Sequence, residues 1–202
     1  MSRIYLIRHG EVAWNAESAY VGSTDLPLND TGRAQAEMLA RRLERDDISA
    51  IYSSDLSRAR ETAEIVAERL DLSVALVPGL RELDYGEWEG MPEVELPKRF
   101  PELFDAWRAD PARVSTPGGE TFQQLADRAY PAFRAISEQH PNDNIAVVGH
   151  KSTNRTLLCC MLGIDINRYK QVGQGNAAVN IIERRDDGRF VVEQINECCH
   201  LT

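Results

Sequence analysis

Short apolar runs alternate along the chain with stretches whose apolar residues recur every three or four positions. Residues 4–8, 48–52 and 145–148 read as strands, and 74–77 as a shorter one. Residues 31–45, 57–70, 120–139 and 152–162 carry the helical period. Ala34, Met38, Leu39 and Leu43 mark the expected buried face of the first helix, with Asn29 or Asp30 as its cap. Ala59, Ala63, Val66 and Leu70 mark that of the second. Residues 78–118 keep no long period and hold only helical pieces near 93–100 and 102–110. The last two runs, 179–183 and 190–194, flank Asp186-Asp187-Gly188 and predict a hairpin.

This alternation predicts an α/β fold: a three-layer α/β/α sandwich with a mainly parallel central sheet and a terminal antiparallel hairpin. The 202 residues suffice for one core, and no linker, low-complexity tract or repeat divides them. A single domain is expected, with a lid-like insertion around 84–118. No apolar run reaches the length of a membrane span and no secretory signal precedes Ile4, so a cytoplasmic location without a membrane partner is the default expectation.

Charge narrows the partners. The formal net charge of −9 disfavours a nucleic-acid surface, which needs a basic stripe. It leaves room for a small anion, because the local field of a pocket can oppose the global charge. The four cysteines form two adjacent pairs, Cys159-Cys160 and Cys198-Cys199, and neither pair has metal-ligand spacing. Reduced thiols are expected, with no metal and no cofactor.

In parallel sheets, ligands bind beyond the carboxyl ends of the strands. Three predicted strands end on unusual residues: Arg8-His9-Gly10, Ser53-Ser54 with Arg58 just beyond, and Gly149-His150. Two of the four histidines therefore follow apolar strands directly. Two arginines and two histidines at one sheet edge suit a phosphate dianion, since the guanidinium fork matches phosphate oxygens. A neutral histidine can attack phosphorus when its other ring nitrogen is held by a hydrogen bond. A second, protonated one can donate to a non-bridging oxygen. The leaving alkoxide then needs a proton. Residues 78–90 offer four carboxylates, Glu82, Asp84, Glu87 and Glu89, and their spacing does not choose among them. A solvated acidic loop is the plain alternative.

Arg8-His9-Gly10-Glu11 with Trp14-Asn15 resembles the signature of the histidine phosphatase superfamily, the phosphoglycerate-mutase-like proteins. The resemblance continues in order through Asp25-Leu26-Pro27-Leu28, Ser53-Ser54-Asp55-Leu56-Ser57-Arg58-Ala59, Leu80-Arg81-Glu82, Trp88-Glu89-Gly90, Gly118-Gly119-Glu120, and residues 147–150 with Arg155. It covers nearly the whole chain. It implies that His9 is the nucleophile and becomes phosphohistidine. It also implies that Arg8, Arg58 and His150 form the phosphate pocket, that Glu82 is the proton donor, and that no metal is required. Asn15 and Ser23 are implied as further phosphate or substrate contacts.

The same pocket serves a phosphatase, in which water takes the phosphoryl group, or a mutase, in which a bound product takes it back. The mutase branch carries extra basic residues after the acid loop. Here that region reads Met91-Pro92-Glu93-Val94-Glu95-Leu96-Pro97, with basic residues only at Lys98 and Arg99, which favours phosphatase. A catalytically silent phosphate-binding module is the non-enzymatic alternative. Phe104 and Trp107 are candidates for contacts with the leaving group. The tail Asn196-Glu197-Cys198-Cys199-His200-Leu201 resembles the ending of metal-independent phosphoserine phosphatases, which brings in His200. Tyr85 stands where that branch has a histidine, and Lys151 where the wider family often has glycine; both are candidate substrate contacts. Phosphoserine, α-ribazole phosphate and sugar phosphates remain the expected substrates, and a homodimer through the final hairpin and tail is a further expectation.

Overall fold

The computed structural model describes residues 2–202. Its strands are β1 (Ser2–Arg8), β2 (Ile48–Ser53), β3 (Val74–Leu76), β4 (Asn144–Gly149), β5 (Val179–Arg184) and β6 (Phe190–Glu197). They form one sheet in the order β3-β2-β4-β1-β5-β6. β1, β2, β3 and β4 pair in parallel, whereas β5 runs antiparallel to β1 and β6 antiparallel to β5. The helices are α1 (Ala13–Ala16), α2 (Asp30–Leu43), α3 (Ser57–Leu70), α4 (Leu96–Arg99), α5 (Pro101–Ala109), α6 (Phe122–Gln139) and α7 (Lys151–Leu162).

β1 is central because both of its faces are apolar, as a parallel strand buried on two sides requires. Tyr5 and Ile7 join Ala146 and Val148 of β4 under α2 and α3, where Leu39, Leu43, Ala59, Ala63 and Val66 pack. Ile4 and Leu6 join Ile145 and Val147 under α6 and α7, where Phe122, Leu125, Phe133, Leu157 and Leu158 pack. Helices thus cover both faces, and the predicted sandwich with its antiparallel hairpin is present.

Local chemistry sets the helix ends. The Asn29 side chain accepts from the Gly32 N–H and caps α2. Thr121 and Gln124 exchange side-chain-to-backbone hydrogen bonds in a capping box, so α6 starts at Phe122 and not at Glu120. α7 starts one residue earlier than expected, at Lys151, and stops at Gly163 with φ 65°. The buried face of α2 differs from the predicted one. Gly32, Ala36, Leu39, Ala40 and Leu43 point inward, while Ala34 and Met38 face solvent. Small residues at 32, 36 and 40 let α2 lie close to α3 and to the loop after β1.

Residues 84–118 form short turns and the helices α4 and α5. Their aromatics are part of the core. The Trp107 ring lies 5.3 Å from that of Trp88, and Phe104 5.9 Å from Trp88. Phe122 packs at 4.1 Å on Tyr169, tying α6 to the chain after α7. Phe133 is fully buried and touches Phe190 of β6 at 5.5 Å, so it joins the long helix to the sheet edge. Phe133→Ala should lower the free energy of unfolding by about 3–5 kcal/mol, read from urea melts.

Candidate active site

The register of the sheet assembles the site. Arg8 of β1 pairs with Gly149 of β4, and Ser53 of β2 with Val148, so the residues that follow share one edge. The His9 N–H donates to the Gly149 carbonyl at 3.1 Å and the Ser54 N–H to the Val148 carbonyl at 3.0 Å. As a result, the His9 and His150 rings lie 5.2 Å apart, both buried. β5 runs antiparallel, so the loop before it reaches the same edge. There the Ala177 N–H and the Asn176 side chain donate to the His9 carbonyl at 3.1 and 3.3 Å. The loop after β1 presses on the start of α2, and a Cβ on Gly10 would lie 2.4 Å from the Gly32 carbonyl oxygen, so position 10 requires glycine.

The tautomer of His9 follows from its partner. Nδ1 lies 2.6 Å from the Gly10 carbonyl oxygen, which can only accept. Nδ1 therefore carries the hydrogen. Burial, then Arg58 and Arg8, hold the pKa of the ring well below its ordinary 6.5. The imidazole is neutral and Nε2 has a free lone pair. His150 is held low for the same reasons, burial first and then Arg58 and His9, and neither of its ring nitrogens has a hydrogen-bond partner. It is thus neutral in the protein alone.

Each arginine is tied by carbonyls and leaves donors over. Arg8 Nη1 donates to the Gln174 carbonyl at 2.9 Å. Arg58 donates to the Thr24 and Gly22 carbonyls at 2.9 and 2.6 Å. Nε of each is buried without a partner. Burial lowers the Arg8 pKa to about 10, against the pull of Glu82. Thr62 links the two elements, accepting from the Gly10 N–H at 3.1 Å and donating to the Arg58 carbonyl at 2.7 Å. Buried donors of this kind fit an anion with several oxygens.

Glu82 caps α7. It accepts from the Ser152 N–H at 3.0 Å and the Thr153 N–H at 3.1 Å, from the Thr153 hydroxyl at 3.2 Å, and from the Leu83 N–H at 2.8 Å. Of its oxygens, Oε2 has only the Ser152 donor and so keeps a position for a proton. Glu89, also in the acid loop, has another task. Its carboxylate accepts from the Ser23 N–H and hydroxyl at 2.7 and 3.0 Å, from the Thr24 N–H at 2.8 Å and from the Tyr85 N–H at 3.2 Å, with the Thr24 hydroxyl as a further donor. It fixes the loop whose carbonyls hold Arg58.

A cavity of about 350 Å³ opens over His9. Arg8, His9, Asn15, Glu82, Tyr85 and Lys151 line it, as do Tyr20, Glu93, Ser152, Arg155, Tyr169, Lys170 and Asn176. Asn15 Oδ1 accepts from the Asn176 side chain at 3.0 Å, which leaves the Asn15 amide group free to donate. The Tyr85 hydroxyl shares a hydrogen with Ser152 at 2.8 Å. Arg58 and His150 sit fully buried beside His9 and do not line the open volume. Four sequence candidates lie elsewhere. Ser23 is engaged by Glu89, Phe104 and Trp107 are in the core, and His200 is tucked against α2 with Nδ1 3.7 Å from Glu197. Among the described residues no three His, Cys, Asp or Glu side chains gather so as to hold a metal ion, and no helix is long and apolar enough to cross a membrane.

Sequence reasoning missed Gln174 and Asn176. Their signal was a polar stretch between glycines, residues 173–176, just before an apolar run. Only the antiparallel direction of β5 brings that stretch to the site.

Two buried histidines, two buried arginines and a carboxylate gather at one sheet edge, an arrangement that suits an anion. Residues 4–197 match the histidine phosphatase superfamily, branch 1. The chain is 33% identical over 201 residues to "Phosphoserine phosphatase 1" of Hydrogenobacter thermophilus, covering 100% of this chain and 95% of that one. It is 40% identical over 208 residues to "Phosphoglycerate mutase-like protein 4" of Arabidopsis thaliana, with coverages of 99% and 87%. The solved structure of Bacillus stearothermophilus YhfR superposes with a TM-score of 0.92 at 32% identity, over all of both chains. The chain belongs to the histidine phosphatase superfamily and has its phosphoglycerate-mutase-like fold. It is a phosphoric monoester hydrolase.

The two neutral imidazoles have a consequence for stability. The unfolded chain, with histidine near 6.5, binds protons that the folded site refuses. Below about pH 6.5 the unfolded state therefore holds more protons, and stability falls as the pH drops through that value. Each histidine adds at most about 1.4 kcal/mol per pH unit. Urea melts in phosphate-free buffer at about pH 7.5 and 5.5 should show the loss, and it should be smaller in His9→Asn.

Proposed function

We propose that the protein hydrolyses a small phosphomonoester (phosphoserine, α-ribazole phosphate or a sugar phosphate) through a phosphohistidine at His9. The observation that carries this reading is the Nδ1 hydrogen bond to the Gly10 carbonyl, which leaves Nε2 as a lone pair among buried cationic donors. In the first step Nε2 attacks phosphorus, the bond to the alcohol oxygen breaks, and Glu82 passes its proton to that oxygen. Arg8, Arg58 and Asn15 bind the phosphoryl oxygens. The dianion supplies the counter-charge that His150 lacks in the protein alone, so His150 takes a proton and donates it in a hydrogen bond. In the second step Glu82 takes a proton from water, the water oxygen bonds to phosphorus, and the P–N bond breaks to restore His9. Charge stabilisation comes from the arginines and from His150, so neither step calls for a metal.

Three substitutions test the roles. His9→Ala should abolish phosphate release in the presence of EDTA and remove acid-labile phosphate from quenched enzyme; retained turnover would overturn the nucleophile. Glu82→Gln should slow alkyl phosphates about 10²–10⁴-fold. It should slow p-nitrophenyl phosphate much less, since that phenolate leaves without a proton, and equal losses on both would remove Glu82 as the acid. Arg58→Ala should lower kcat by about 10²–10³, measured under saturating substrate.

A further inference from the structure

The acid loop is fixed by a helix and not by the sheet. Residues 79–84 belong to no strand, so no ladder holds the backbone of Glu82. Side chains of α6 and its N-terminal flank do this instead. Arg128 Nη1 donates to the Gly79 carbonyl at 3.0 Å and to the Arg81 carbonyl at 2.9 Å. Nη2 donates to the Glu82 carbonyl at 2.8 Å. Nε and Nη2 donate to the Glu120 carboxylate at 2.7 and 2.9 Å. A guanidinium has five N–H donors, and these contacts use all of them.

Glu120 grips the same loop further on. Its carboxylate accepts from the Asp84 N–H at 3.2 Å, and its own N–H donates to the Asp84 carbonyl at 2.9 Å. The ion pair thus clasps the chain on both sides of Glu82. The approach is close: a Cβ on Gly79 would lie 2.8 Å from the Cβ of Ala132, one turn beyond Arg128 on α6. Glu82 is therefore held at two ends by two helices. The first N–H groups of α7 hold its carboxyl, and Arg128 of α6 holds its backbone. The Thr153 hydroxyl adds a bond from α7 to the Arg81 carbonyl at 2.8 Å. Arg128 does not line the cavity, so its effect on the reaction has to pass through the loop. Proton transfer needs the acid within hydrogen-bond reach of the leaving oxygen, and a displacement of about 1 Å can cost on the order of 10²-fold in rate.

We propose that Arg128, locked by Glu120, is a positioning residue for the general acid: it sets where Glu82 stands and touches neither the substrate nor the phosphoryl group. The inference rests on the reading of Glu82 as the acid given above.

The test reads leaving-group dependence. Phenyl phosphate and p-nitrophenyl phosphate differ mainly in how much the departing oxygen needs a proton, and kcat/KM covers the step in which it departs. Arg128→Met should lower kcat/KM for phenyl phosphate about tenfold or more beyond its effect on p-nitrophenyl phosphate, the pattern also expected of Glu82→Gln. Glu120→Gln should shift the ratio the same way by less. Arg128→Lys keeps the charge without the fork and should restore little of it. In the Glu82→Gln background, Arg128→Met should leave the ratio of the two esters unchanged, because the acid it positions is gone. Equal losses on both esters in Arg128→Met, or no loss on either, make the clasp a contact of the fold alone and overturn the proposal. So does a further change of the ratio in the Glu82→Gln background. Retained turnover of p-nitrophenyl phosphate reports a folded variant. Where Arg128→Met does not fold, Glu120→Gln decides, and an unchanged ratio there overturns the proposal. Equal losses in Glu82→Gln itself overturn the acid and its positioning residue together, whereas a selective Glu82→Gln beside an unselective Arg128→Met overturns the positioning residue alone.

Discussion

The parallel pairing of β1 with β4 is the constraint on which the site depends. Arg8 lies opposite Gly149, so the next residue on each strand is a histidine, and the His9 N–H closes the ladder on the Gly149 carbonyl. A slip by one residue would turn Ile4, Leu6 and their neighbours to the wrong face. It would also separate the two imidazoles. Because both faces of β1 are packed under helices, that slip would expose apolar surface on each side of the sheet. The core that stabilises the fold therefore also sets the catalytic register.

Electrostatics at this edge is arranged against folding. Two guanidinium groups are buried with no carboxylate within salt-bridge distance among the described residues, and two imidazoles are kept neutral beside them. The protein limits the cost with backbone carbonyls: Gln174 for Arg8, and Gly22 and Thr24 for Arg58. These oxygens offset part of the desolvation without neutralising the charge, so the cations keep their attraction for an anion. Glu89 acts one layer further out, fixing the loop that supplies two of those oxygens.

Much of this was legible in the chain. Apolar runs located the strands because β1 and β4 are buried on both faces, and the ends of those runs named Arg8, His9 and His150. Spacing alone left Glu82 among four carboxylates, since what sets it apart is its position against the first N–H groups of α7, about 70 residues away. Family resemblance chose it. The side chains at 104, 107 and 200 illustrate the opposite limit. An aromatic or imidazole in an irregular stretch can face a pocket or the core, and here Trp88 and the α2 face claimed them. Spacing does not show Arg155 and Lys170 as neighbours in the cavity wall, because only the folded chain brings the 166–171 turn over α7.

The capping of α7 by Glu82 binds two properties of the molecule together. The carboxyl proposed to shuttle the proton is also the group that closes the N-terminus of a core helix. A proton on that carboxyl would turn an acceptor of the cap into a donor, so the proposed shuttle also changes how well the helix end is satisfied. Position 82 therefore serves two tasks at once: a residue chosen there for a different leaving group would also leave the first N–H groups of α7 without their acceptor.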